Sequence, residues 1–422
     1  MTYAVSDRIS AAADRLMTMP EVVGGLSWIE SDHQRCIREQ VELACVEAPT
    51  FHERDRALVL ERKFREAGLS DVRIDRSGNV VGVRRGRAGG PRVLIEAHMD
   101  TVFPLGSVSG VEEKDGVLFA PGISDDTRGL AVILSLARAL NACAIPLCGD
   151  LIFAGITREE GGGSMRGMAQ LLEDFRGKLD ASISVDSGCM ADIIYEATGI
   201  RTVEVTFHGI GGHAFGAFGQ VAQPLHAAAR AVAKIAALQV PEEPRTTFCV
   251  SNFHAGNDAA MHAIPPTASI TINYRSNDPA LLEALDRRIF AAVQEACDEE
   301  TARWGKDAVT WSRRDCCDVP AGTQDAHAPV VEGLYSVLER LGLRPNILRG
   351  GATNCNMAIA QGIPAVCMST CHPVDGAAVN TMDHTLSERF PVAQAYKGVQ
   401  AALMMALLCT GVGEFESILG AR

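Results

Sequence analysis

Residues 150–164 read DLIFAGITREEGGGS. An apolar run from Leu151 to Ile156 gives way to two adjacent glutamates, Glu159 and Glu160, and then to three glycines. A short, continuously apolar segment closed by turn residues is the pattern of a strand buried on both faces, as in a parallel sheet. Carboxylates at the mouth of such a strand are costly unless something pairs with them. Two other segments repeat the arrangement. RVLIEAHMD (92–100) is a buried strand with His98 and Asp100 at its C-terminal end, and ASISVDSG (181–188) carries Asp186 in the same place. Helical patterns lie between them, TRGLAVILSLARAL (127–140) and GGSMRGMAQLLEDF (162–175). Strands alternating with helices predict an α/β layer with a mostly parallel sheet. In such sheets functional groups gather at the carboxyl ends of strands. Three strands that end in acids or histidine therefore point to one shared site.

Working outward, residues 33–48 and 54–67 are predicted helices, and VRIDRSGNVVGVRRG (72–86) is a predicted hairpin about Ser77-Gly78-Asn79. From about residue 197 the texture changes. IRTVEVTFHG (200–209) alternates as a half-buried strand, QPLHAAARAVAKIAAL (223–238) is helical, and TASITINYRSND (267–278) is a strand. A long amphipathic helix over 279–305 and the strand AVTWSRRD (308–315) complete a self-contained α+β unit. The first texture then resumes with a helix near 328–341, the strand PAVCMST (364–370) and a helix over 390–409. The expected fold is thus α/β. A discontinuous catalytic, metal-binding domain (1–196 and 316–422), with a mostly parallel mixed sheet flanked by helices, carries an inserted α+β domain at 197–315.

A chain of 422 residues is too long for one ordinary core, which agrees with two domains. Against 39 Lys and Arg stand 52 Asp and Glu, a net charge of −13, which argues against nucleic acid or an anionic membrane as partner. No apolar stretch is long enough to span a bilayer, and the first twenty residues lack the apolar core of a secretory signal. The thirteen cysteines are scattered, odd in number and without a CxxC pair. Reduced thiols in a cytoplasm are the expectation.

Side chains two apart on a strand share a face, so His98 and Asp100 can act together. One can bind a metal while the other, a carboxylate, orients the imidazole through its second nitrogen. A core histidine beside a capping aspartate is the plainer alternative. In PGISDDTRG (121–129), one of Asp125 and Asp126 is explained as the cap of the following helix. The second is explained if it bridges cations. Glu159 and Glu160 point to opposite faces when extended, so they divide the work: one ligand, and one general base that takes a proton from a metal-bound water and passes it to a leaving amine. Asp186 and, after a glycine-containing loop, His384 complete an oxygen and nitrogen donor set without thiolates. Such a set suits a catalytic two-zinc site rather than a structural one.

With these residues in view, the chain resembles the co-catalytic zinc exopeptidases and deacylases. That family includes glutamate carboxypeptidase, aminoacylase, acetylornithine deacetylase and succinyl-diaminopimelate desuccinylase. The matching stretches run in family order: HMDTVFP, PGISDDTRGLAVIL, ITREEGGGSMRG, SVDSG, HGIGGHAFGAFG, HAIPPTASITINYRSND, RGGATNCNMAIAQGIP and HTLSE. The resemblance implies that His98 and Asp186 hold one metal ion, that Glu160 and His384 hold the other, and that Asp125 bridges. It makes Asp100 the carboxylate behind the ligand histidine and Glu159 the general base that generates the metal-bound hydroxide. The inserted domain would be the lid and dimerisation domain. Its His213 would reach the partner subunit's site in a homodimer to stabilise the oxyanion, and its Arg275 would grip a substrate carboxylate. Gly350 and Gly351 would let the backbone approach substrate. The cofactors implied are two divalent ions, zinc first, with cobalt or manganese as substitutes.

The chain also departs from the family. His262 in MHAIPP stands at an expected substrate contact where relatives commonly carry asparagine. GGATNCN replaces a more usual GGTDAN, and STCHPVDGAAVNTMD (369–383), with Cys371 and His372, has no familiar counterpart. The expected activity is hydrolysis of an amide bond in a small, carboxylate-bearing substrate, of carboxypeptidase or N-acyl-amino-acid deacylase type. The alternatives are an aminopeptidase or dipeptidase of the peptidase T type and a non-catalytic metal- and ligand-binding relative. The last predicts a missing base or ligand, and every position is filled. A thiol hydrolase using Cys189 or Cys371 is a further alternative, which chelator-insensitive activity would support.

Overall fold

Strand Arg92–His98 lies fourth in an eight-stranded mixed sheet, between Asp150–Ile156 and Ala181–Cys189, with Ala365–Cys371 next in line. These four central strands run parallel, His98 pairing with Ile156, and Ser369 with Asp186. The computed structural model describes residues 3–87, 89–304, 308–374 and 376–420. On one side the sheet is extended by the hairpin Ser70–Ile74/Val80–Arg84, whose turn is held by Asp75 Oδ1 accepting the backbone N–H groups of Ser77 and Asn79. On the other side lie the short strands Asp192–Ile194 and Asn346–Leu348.

Helix Thr127–Ala142 is buried along nearly its whole length, with Leu130, Ile133, Leu134 and Leu136 fully enclosed. Each contributes roughly 1.5–3 kcal/mol by leaving water. Helices Pro20–Ala44 and Tyr396–Thr410 pack against it. The helix expected over 33–48 instead begins at Pro20 and ends at Ala44. It runs back through Gly24 and Gly25, where the missing side chain lets Leu403 and Ile145 close in to about 3 Å of the Cβ position of Gly25.

The chain divides into two compact units, Met1–Ala197 with Thr323–Arg422, and Thr198–Gly322. The second has its own apolar core and a four-stranded antiparallel sheet, ordered Thr246–Ala255, Thr267–Ser276, Gly199–His208 and Thr310–Val319, with helices Pro224–Ala236 and Pro279–Trp304. Its end lies beyond the expected residue 315, because strand Thr310–Val319 continues pairing with Gly199–His208 past a bulge at Asp315–Cys317. The run Arg313-Arg314-Asp315-Cys316-Cys317-Asp318 has no apolar alternation, so the sequence hid this pairing. Strand Thr246–Ala255 also went unseen, being largely exposed. No helix among the described residues is long and apolar enough to cross a membrane.

Candidate active site

Because the central strands are parallel, His98, Glu159–Glu160 and Asp186 emerge at one end of the sheet. The His98 Nδ1 meets the backbone carbonyl of Asp100 at 2.9 Å, while the nearest Asp100 carboxylate oxygen is 3.7 Å away. The orienting group is therefore the Asp100 carbonyl, not the side chain the sequence suggested. A carbonyl only accepts, so Nδ1 carries the proton and Nε2 turns its lone pair toward the site. The buried Asp100 carboxylate serves another purpose. It accepts the backbone N–H groups of Glu159 and Glu160, both at 3.0 Å, and the Thr50 hydroxyl at 2.9 Å. Asp100 thus fixes the turn that presents both glutamates.

The adjacent acids Asp125 and Asp126 have separate jobs. Asp126 caps helix Thr127–Ala142 by accepting the Gly129 N–H at 2.9 Å, and its other oxygen accepts the His98 N–H at 3.1 Å. Asp125 faces the cavity, with Oδ1 2.9 Å from His98 Nε2 and Oδ2 2.9 Å from His384 Nε2. His384 Nε2 is also 3.0 Å from Glu160 Oε1, and Asp186 Oδ1 lies 3.9 Å from His98 Nε2. The turn carrying Asp125 is held by a residue to which the sequence gave no role. Fully buried Glu388 accepts the backbone N–H groups of Gly122, Ser124 and Asp125 at 3.1, 2.7 and 2.8 Å. Its only signal was its place four residues after His384 in HTLSE.

The donor set passes a chemical test for cations. Donor atoms of His98, Asp125 and Asp186 lie within 4.8 Å of one another, as do those of Asp125, Glu160 and His384, and the two groups share Asp125. A third group joins His98 with Glu159 and Glu160. The His98 lone pair and an Asp125 oxygen confront each other at hydrogen-bond distance, so a proton or a metal ion must lie between them. In the protein alone, protons take that place. Burial opposes charge on His98, but the hydrogen bond and charge of Asp125 outweigh it and raise the imidazole well above its usual value. Hydrogen bonds from Asp125 and Glu160 push His384 up to about 11. Burial raises Glu159 and Glu160, and takes Asp186 up to about 7. Burial also acts to raise Asp125, yet its bonds to His384 and His98 overcome this and hold it below the usual range. Three carboxylates pushed toward neutrality around two imidazolium rings describe a site built for added positive charge. It opens on a cavity of about 360 Å³, whose far wall includes Ile194, Ala352 and Thr353.

Gly350 and Gly351 lie next to that wall. Gly350 has φ +90°, and a Cβ on Gly351 would come within 2.7 Å of Ile194 Cγ2. The remaining candidates belong to the second unit. His213 sits in a two-stranded ribbon paired with Ala263, and the Ala214 N–H donates to the His262 carbonyl at 2.8 Å. The Nδ1 of His213 accepts the backbone N–H groups of Phe215 and Gly216 at 3.3 and 3.2 Å, so the proton of its neutral form is on Nε2. Arg275 is exposed on strand Thr267–Ser276, its Nε donating to Asn273 Oδ1 at 3.2 Å. In the unfamiliar segment, Cys371 pairs in register with Cys189, and the His372 Nδ1 contacts the Pro373 carbonyl at 2.7 Å. All thirteen cysteines are free thiols.

Residues 94–407 match the model of Peptidase family M20/M25/M40. The chain belongs to that family. Its members are metal-dependent hydrolases that act on amide bonds. Among curated proteins, the chain is similar to succinyl-diaminopimelate desuccinylase of Leptothrix cholodnii, 26% identical over 345 residues covering 77% of this chain and 84% of the relative. The corresponding desuccinylase of Corynebacterium glutamicum is 24% identical, with 83% and 90% covered. Among solved structures, aminopeptidase PepT from Bacillus cereus superposes with a TM-score of 0.71 at 22% identity, covering 89% of this chain and 98% of that one. The shared fold is the mixed sheet with flanking helices described above.

Proposed function

We propose that this chain hydrolyses an amide bond in a small, carboxylate-bearing substrate with two divalent ions, zinc in the first instance. His98, Asp125 and Asp186 would hold one ion, and Asp125, Glu160 and His384 the other. The observation that carries the reading is the Asp125 carboxylate, one oxygen at each imidazole, 2.9 Å from both. When bound, the ions polarise the scissile carbonyl and make a nearby water easier to deprotonate. Glu159 takes that water's proton and returns it to the departing amine. Burial already raises Glu159 above the usual carboxylate range, which favours its taking up a proton. Asp100 keeps the Glu159 and Glu160 amides in place, so the base and the ligand move as one rigid turn.

His213 offers its Nε2–H to the oxyanion from the partner subunit of a homodimer built through the second unit, and Arg275 and His262 contact the substrate. The Nδ1 contacts of His213 support the first role, since they leave the outward nitrogen as the donor. Free cysteines throughout suit a reducing cytoplasm. Relatives named as desuccinylases support cleavage of an amide bond next to a small acid. The test is Glu159→Ala: turnover over a panel of peptides and N-acyl amino acids is abolished while two equivalents of metal are retained. Retained activity in that variant removes Glu159 from the mechanism.

A further inference from the structure

A second cavity, about 600 Å³ in volume, lies at the end of the main sheet opposite His98 and Glu159. Arg92 and Asp150, in its wall, begin the strands Arg92–His98 and Asp150–Ile156, so roughly 20 Å of strand separates it from the candidate active site. Its origin is local. Val83 pairs with Ile152, and Ile152 with Leu94, forming one apolar row on a face of the sheet. Met168, Leu171 and Leu172 of helix Arg166–Asp174 share an apolar cluster with that row, but the helix is only nine residues long. Past its end, Val72, Val83, Ile152 and Phe175 floor an uncovered hollow. Around them stand Arg73, Arg85, Arg92 and Lys178 against Asp71 and Asp150, four cations to two carboxylates in a chain of net charge −13. Both carboxylates are engaged by Arg85: Asp150 Oδ2 accepts its Nη1 at 2.9 Å, and Asp71 Oδ2 accepts its Nη2. Asp150 Oδ1 accepts the Gly86 N–H at 3.0 Å. Arg92 reaches Asp150 only at 3.9 Å. Arg73 meets no carboxylate among the described residues and donates to the Asp71 carbonyl at 3.3 Å.

We propose that this hollow binds a small organic acid, its carboxylate held by the Arg73 and Arg92 guanidinium groups and its hydrocarbon body laid over Val83, Ile152 and Phe175. A guanidinium presents a planar fork of donors that matches a carboxylate. The apolar floor adds the burial of hydrocarbon, which an inorganic anion cannot supply. A cavity of this volume, with an apolar lining and a few polar groups, suits a small molecule. A cation is repelled by the excess of arginine and lysine, and a neutral amide leaves both guanidinium groups without a counter-charge. No residue is shared between this wall and that of the candidate active site, so the two can be filled independently. The proposal therefore stands apart from the hydrolytic reading.

The test uses the full-length, zinc-loaded protein with labelled isoleucine and valine methyl groups, titrated with phenylacetate, its neutral counterpart phenylacetamide, and inorganic phosphate. Phenylacetate shifts the Ile152 and Val83 methyl signals saturably, at concentrations where neither the amide nor phosphate moves them. The Ile194 methyl signals, in the wall of the other cavity, report any acid that goes to the metal site instead. Arg92→Gln and Arg73→Gln each weaken the Ile152 response about tenfold and leave that of Ile194 unchanged. Arg76→Gln, which removes an exposed arginine paired with Asp174 outside the hollow, leaves both unchanged. Ligand-free methyl spectra like those of the natural chain show that each variant is folded. Equal shifts with acid and amide reduce the hollow to an apolar crevice, and equal shifts with acid and phosphate reduce it to a general anion patch. Either result overturns the proposal, as does an Ile152 signal that no probe moves or that ignores the loss of both arginines.

Discussion

The Oε1 atom of Glu388 lies 2.8 Å from the backbone nitrogen of Asp125 and accepts its N–H, while Oε2 accepts that of Gly122. The Asp125 carboxylate, set between the two imidazoles, is thus aimed by a second, buried carboxylate that never faces the cavity. In Glu388→Gln one oxygen becomes an NH₂ group opposed to a backbone donor. About 1–3 kcal/mol of stability is lost, and metal affinity falls by about 10–100-fold. Denaturant unfolding and metal content after dialysis against a weak chelator measure the two effects. Unchanged metal retention would show that Asp125 does not need this support.

Metal loading displaces protons. His98 is raised well above its usual value and His384 to about 11, so both are protonated in the metal-free protein at neutral pH. Calorimetric titration with zinc therefore releases protons, seen as an enthalpy that depends on the buffer, and affinity weakens as pH falls. The sign for stability follows as well. Histidines and carboxylates with raised values bind more protons folded than unfolded, so their contribution to metal-free stability declines as pH rises. The stabilisation gained from zinc grows between pH 6 and 9, measured as the difference in Tm with and without chelator.

A methyl group at residue 163 has nowhere to go. The Cβ it would carry lies 2.5 Å from the Arg158 carbonyl oxygen, a backbone atom of the turn that holds Glu159 and Glu160. Gly163→Ala must move that turn, and kcat drops about tenfold or more. Gly24→Ala is the control. It meets nothing within 4 Å inside a helix, and it leaves kcat alone while raising stability by about 0.5–1 kcal/mol.

Removing the imidazole in His213→Ala lowers kcat by about 10²–10³-fold with metal retained. Nitrogen-15 spectra of the natural chain show His213 protonated on Nε2. A signal for protonated Nδ1 would contradict the hydrogen bonds from Phe215 and Gly216.

The catalytic unit could be read from sequence because its strands are buried on both faces and therefore continuously apolar, which made Glu159, His98 and Asp186 conspicuous at their ends. The separate roles of Asp125 and Asp126 were legible on another ground, since a helix cap accounts for only one acid. What the sequence did not show is the work of backbone atoms. The Asp100 carbonyl orients His98 while its carboxylate serves Glu159 and Glu160, and no spacing rule separates those two uses of one residue. Glu388 was hidden similarly, because all its partners are main-chain amides. The edge strands of the inserted unit were missed or cut short because exposed faces leave no apolar period.

His98, Asp125, Glu160 and Asp186 precede the inserted unit, whereas His384 follows it, after more than a hundred residues that fold around a core of their own. During synthesis the first four candidate donors are made long before the fifth, so four of the five wait for a clasp that follows the insert. The emerging protein can shape its sheet and its insert with the metal centre still incomplete. Metal held between Asp125, Glu160 and His384 would then be a signal that the segment after the insert has found its place.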